Sequence, residues 1–220
     1  MISGRSSPIL RAAVLLALLL LPVTAGCTRA VDGVPRGAPT EDFPDSAPDL
    51  EALIVTEVPS GLPRLPDDEL EPPAGPKSVD DIADYADDPD RERDVLQGYG
   101  YRRGWERFWG TGAGPMTGVF VDQFGSRAGA GAYAEDLARN EAERYEGVLH
   151  ENPPDLPGGC RMLTVDDAGA QEALGGPAAF AWCRHGPFSV SVTSVADSLA
   201  SAEEEIRAVV EEQLDRLPPR

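Results

Sequence analysis

The chain has 220 residues, 41% of them hydrophobic, and its 38 acidic against 19 basic side chains give a net charge of −19 at neutral pH. So acidic a surface repels phosphate backbones and anionic headgroups, which speaks against nucleic-acid partners and against electrostatic membrane attachment. Lys77 is the single lysine beside eighteen arginines, and Ala, Gly and Pro are abundant, a bias of GC-rich coding rather than a functional demand.

At the N-terminus Arg5 and Arg11 supply positive charge, and no acidic residue precedes Cys27. Ala12 to Leu21 is entirely apolar, six of its ten residues being Leu. That length suits the hydrophobic region of a signal peptide and falls short of the roughly 20 residues that a membrane-spanning helix needs. Small Ala25 and Gly26 then present an open backbone to a peptidase. The stretch Val23-Thr24-Ala25-Gly26-Cys27 resembles the lipobox of bacterial lipoproteins, with Thr24 where that family mostly has Leu. The resemblance implies a signal peptide over 1–26, a diacylglyceryl group on the Cys27 thiol, and anchoring on the outer face of the cell membrane. Two or more acyl chains hold a protein stably where one does not. Loss of Arg5 and Arg11 with the leader leaves 17 basic residues against 38 acidic, a mature charge of −21.

Residues 27–50 read as a tether, interrupted by Pro35, Pro39, Pro44 and Pro48 and too sparsely apolar to bury a face. A single domain over 51–220 follows, long enough for a sizeable core. Its first part is loop-like, with six prolines between Pro59 and Pro76. Ser78 can cap a short helix with Val79, Ile82, Ala83 and Ala86 on its apolar face. Asp88-Pro89 starts a second helix that ends at Gly98. An aromatic and basic segment, Tyr99 to Trp109, runs from there to a Gly-rich turn at Gly110, and we expect it to be a loop.

Thr117 to Phe124 is the first clear strand, apolar on both faces as in a central strand. Ser126 precedes a helix with Ala130, Tyr133, Ala134 and Leu137 at helical spacing. After a break at Pro153–Gly159, Arg161 to Val165 forms a short strand. Phe180–Cys183 and Phe188–Thr193 form a hairpin, the second strand alternating Phe188, Val190 and Val192 against Ser189, Ser191 and Thr193. Ser201 with Glu204 three residues on is a capping box for the last helix, whose buried stripe runs from Ala202 to Leu217 before Pro218-Pro219.

With Cys27 assigned to lipid, Cys160 and Cys183 remain as an even pair in an oxidising exported compartment and read as a disulfide. The two halves also echo each other at an offset of 72 residues: Phe108 with Phe180, Gly114-Pro115 with Gly186-Pro187, and Ser126 with Ser198. The expected fold is α+β, an antiparallel sheet with helices packed on one face and two pseudo-repeats. The whole chain resembles lipoproteins of actinobacteria without an assigned activity, on the lipobox and the aromatic segment. More loosely, its fold resembles the small exported domains of photosystem-associated lumenal proteins.

Chemistry is sparse. Gly-x-Ser-x-Gly, His-Glu-x-x-His and Gly-x-x-x-x-Gly-Lys are all missing. Only two histidines exist: His150 in a loop, and His185 at the hairpin turn, where an exposed ring is expected. The acids between Asp80 and Asp90 lack the Asp-x-Asp-x-Asp-Gly loop that surrounds calcium, and they suit solvated helix faces. Gly110, Gly112 and Gly114 read as a turn. No catalytic residue, metal or other cofactor is called for. The favoured function is a non-catalytic envelope module that binds a protein or a small ligand. Its rival is an envelope enzyme using scattered acids and His185. For the module, the binding surface is placed on Tyr99, Tyr101, Arg103, Trp105 and Trp109, residue types that dominate interfaces. The same types suit a core, and solvent exposure decides between the two.

Overall fold

The computed structural model describes residues 43–111, 114–166 and 174–219. In chain order these hold α1 (Ala47–Glu51), β1 (Gly75–Lys77), α2 (Val79–Ala83), α3 (Pro89–Tyr99), β2 (Tyr101–Gly110), β3 (Met116–Phe124), α4 (Arg127–Tyr145), β4 (Val148–His150), β5 (Cys160–Val165), β6 (Ala178–His185), β7 (Phe188–Val195) and α5 (Leu199–Arg216). The signal peptide, Cys27, the tether up to residue 42 and Gly112 lie outside the described residues.

The strands pair antiparallel in the order β1-β2-β3-β7-β6-β5-β4, so the α+β sheet expected from the strand patterns is present. Three-residue strands β1 and β4 close its two edges, leaving little unpaired backbone. Helices cover both faces of the sheet rather than one. Alternation along β6 shows why: Ala179, Ala181 and Cys183 join the core with α5, while Ala178, Phe180 and Trp182 join the core with α4. Strands apolar on both sides need two covers, because either face left bare would expose a full row of side chains to water.

This two-sided cover also removes the pseudo-repeat. The half-sheets β1-β2-β3 and β7-β6-β5 meet at β3 and β7. A twofold axis between these antiparallel neighbours would stand perpendicular to the sheet and put α4 and α5 on one face. They lie on opposite faces, so the halves are related as by inversion, which no rotation of an L-polypeptide can produce.

Cap chemistry sets the helix starts. Ser78 and Asp81 form a reciprocal capping box at α2, Asp88 caps α3 with Pro89 at its first position, and Ser126 caps α4. At α5 the cap is Ser198 rather than Ser201: the Ser198 hydroxyl accepts from the Ser201 amide, which places Ser201 inside the first turn.

The domain also takes in residues expected in the tether. Ser46 caps α1, Leu50 is fully buried, and the Phe43 ring packs 5.9 Å from that of Phe188. The turn after α1 is pinned by Gln213 of α5, whose amide accepts from Val55 N at 3.0 Å and donates to Leu53 O at 2.9 Å. Glu205 pins the next loop, accepting from the Ser60 amide and hydroxyl and from the Thr117 hydroxyl.

Candidate functional site

The aromatic and basic segment is a strand, not a loop. Gly100 ends α3 in the left-handed conformation (φ +78°), and the chain enters β2 directly. A β-bulge between Tyr101 and Arg103 then reverses the alternation of β2, so Tyr101 faces one side of the sheet and Trp105 and Trp109 the other. Trp105 and Trp109 are buried in the core with α5, while Tyr99 and Tyr101 pack with α3 and α4. Arg103 is half-buried. These five residues therefore do not form one exposed patch, and the two tryptophans are core.

The α4 side of the same strands holds a polar row. Lys77, Gly104, Asp122, Ser189 and Arg184 stand directly opposite one another across β1, β2, β3, β7 and β6. A side chain at Gly104 would overlap the Asp122 carboxylate and the Tyr101 hydroxyl, which donates to Lys77 O at 3.3 Å. Burial, and then the charge of Glu106, push the Asp122 carboxyl up to about 8, so it is predominantly protonated at neutral pH. Glu106 is also raised, chiefly by burial, against the opposing pull of the Lys77 ammonium 3.2 Å away. The Tyr85 hydroxyl donates to Glu106 Oε2 at 3.0 Å, and Lys77 also donates to Pro73 O. Glu106 Oε1, Ser189 Oγ and Arg184 Nε are buried without a hydrogen-bond partner among the described residues.

The α5 side holds a different arrangement. Arg107 projects from β2 between the two tryptophans and is covered by α1 and the turn that follows. Its guanidinium donates from Nη1 to Val55 O at 2.9 Å and from Nη2 to Glu51 Oε1 at 3.1 Å, while Nε is buried and unpaired. Its side chain is only 3% exposed against 41% for Glu51. Burial, and then the positive charge of Arg64, lower the guanidinium pKa. Arg64 reaches the same place from a bridge with Trp109 and pairs with Asp67 at 3.0 Å. Together Arg64, Arg107, Glu51, Pro48 and Ile54 line an open cleft of about 400 Å³. In a strongly acidic chain two guanidinium groups thus meet beside the exposed Pro48, an arrangement that can accept an anion. Sequence reasoning took in Arg107 only as part of the basic and aromatic segment from Tyr99 to Trp109 and passed over Arg64 and Glu51; the faint signal was an arginine between two tryptophans at strand spacing.

His185 is buried rather than exposed at its turn, with Nε2 2.8 Å from Pro218 O beyond α5. His150 lies on edge strand β4 rather than in a loop. Cys160 and Cys183 face each other across β5 and β6 and form the expected disulfide. Among the described residues no helix is long and apolar enough to cross a membrane, and no cluster of His, Cys, Asp or Glu is arranged to hold a metal ion.

No family model and no curated protein matches the chain. Among solved structures, the chain is similar to the extracellular domain of PknH from Mycobacterium tuberculosis, at 13% identity and a TM-score of 0.48, over 79% of this chain and 98% of that one.

Proposed function

We propose that this chain is a lipid-anchored binding module on the extracytoplasmic face of the cell membrane, cleaved before Cys27 and lipidated on its thiol. The observation that carries this reading is the Cys160–Cys183 disulfide. Structural disulfides belong to oxidising, exported compartments. This one uses two of the three cysteines and leaves over the one that follows Ala25-Gly26. Binding, as opposed to chemistry, is favoured by the cleft, whose lining couples cationic forks to apolar groups. The partner is an envelope protein or a small ligand.

Fractionation of cells expressing the full chain tests the anchor. The wild type is expected in the membrane fraction, with an N-terminal peptide carrying lipid on Cys27. Cys27→Ser is expected to migrate more slowly, with the leader retained. If Cys27→Ser remains in the membrane at unchanged mobility, the reading is wrong.

A further inference from the structure

We infer that the cleft between α1 and β2 binds small organic carboxylates, with the Arg107 and Arg64 guanidinium groups taking the carboxylate and the exposed Pro48 and Ala52 taking the apolar body. The proposal rests on reading the chain as a binding module, though not on its lipid anchor.

Three observations lead there. Arg107 is almost wholly withdrawn from water, yet its Nε remains unpaired, so its hydrogen-bonding capacity is not exhausted within the described residues. A buried guanidinium left with an unused donor is costly, and a planar two-oxygen anion is the group whose geometry matches its fork. A second guanidinium, Arg64, lines the same cleft, although like charges brought together oppose each other. An anion held between them relieves that repulsion.

The third observation identifies the class of anion. The group already on Arg107 Nη2 is a carboxylate, that of Glu51, and it comes from the rim. With 41% of its side chain in water, Glu51 is an ion pair on one side only, of the kind worth little in net stability. It can swing outward at small cost and give its place to a ligand carboxylate. Glu51 thus acts as a built-in occupant that holds the position between binding events. Its backbone lies in α1, so exchange requires only the side chain to move. A cleft of about 400 Å³ falls in the range of small-molecule sites and has room for a ring or a short chain beside the carboxylate.

Calorimetric titration of the purified full chain in detergent with benzoate tests this, with benzyl alcohol and phenyl phosphate as controls. Benzoate is expected to bind saturably and benzyl alcohol at least about tenfold more weakly, a difference of about 1.4 kcal/mol. Glu51→Gln removes the competing charge and is expected to tighten benzoate binding by about tenfold. Arg64→Ala, at an exposed position, is expected to weaken it by a similar factor without shifting the melting temperature. Arg107 variants are avoided, because Arg107 also holds the backbone of residues 54 and 55. The proposal is overturned if benzoate does not bind saturably to wild type or Glu51→Gln, if Glu51→Gln binds it less tightly, or if benzyl alcohol binds equally well. Tighter binding of phenyl phosphate than of benzoate overturns the assignment to carboxylates. None of these outcomes depends on the fate of Cys27, so failure here and failure of the anchor are told apart.

Discussion

Lys77, the only lysine of the chain, places its Nζ 3.2 Å from Glu106 Oε2, and the two side chains are 5% and 4% exposed. An ion pair this deep is held by geometry, because each ion gives up its hydration and depends on the other to compensate. Pro73 O accepts from Lys77 and the Tyr85 hydroxyl donates to Glu106 Oε2, and the Lys77 ammonium also sits 5.2 Å from the centre of the Tyr85 ring. Lys77→Met leaves the Glu106 carboxylate buried and uncompensated and is expected to cost about 3–5 kcal/mol. The double replacement Lys77→Met with Glu106→Leu is expected to regain most of that loss, since no charge is left to desolvate. Urea unfolding of the single and double variants measures both. A double variant as unstable as the single one would show that packing, not charge, dominates here.

The polar row makes a second prediction, about pH. Asp122 faces Tyr101, Glu106 and Tyr133, and its carboxyl is raised from 3.8 to about 8 in the folded protein. The folded state therefore holds a proton that the unfolded chain has released. Between about pH 4 and about pH 8, stability falls as pH rises, by up to about 1.4 kcal/mol per pH unit from this one group. Asp122→Asn keeps the shape, cannot ionise, and is expected to flatten that slope and to be more stable than wild type at pH 8. Thermal melts from pH 4 to 9 check it; an unchanged slope in Asp122→Asn would place the titration elsewhere.

Much of the fold was legible because its elements carry local signals. The alternation of Phe188, Val190 and Val192 with serines defines β7, and Ser78 and Asp88 mark helix starts through hydrogen bonds made within one turn. Strand β2 was not legible. Its sequence sets Arg103, Glu106 and Arg107 among aromatics, and a strand buries such charges only when partners arrive from far away. Those partners are Lys77 for Glu106, and Glu51 with the carbonyls of residues 54 and 55 for Arg107. The candidate site was hidden for the same reason: Glu51, Arg64 and Arg107 are brought together by tertiary packing and share no motif. Residues 43–50 looked like tether because Phe43 and Leu50 are too far apart to form a visible apolar face.

Two glycines make a third prediction, because their surroundings are opposite. Gly98 lies in α3, and a β-carbon there would meet open space. Gly98→Ala removes the entropy cost of a helical glycine and is expected to stabilise the protein by about 0.5–1 kcal/mol. Gly129 lies in the first turn of α4, where its amide donates to the Ser126 cap. A β-carbon there would collide with the carbonyl oxygen of Tyr99, the last residue of α3. The obstacle is backbone and cannot rotate away, so the end of α3 and the start of α4 must separate. That separation reaches Phe124, Ala130 and Tyr133, which share one core cluster with Leu96 of α3. Gly129→Ala is therefore expected to cost at least 1–3 kcal/mol, in the range of overpacked cores, despite the better helix propensity of alanine. Paired denaturant melts decide: propensity alone moves both variants the same way, whereas close packing at Gly129 sends them in opposite directions.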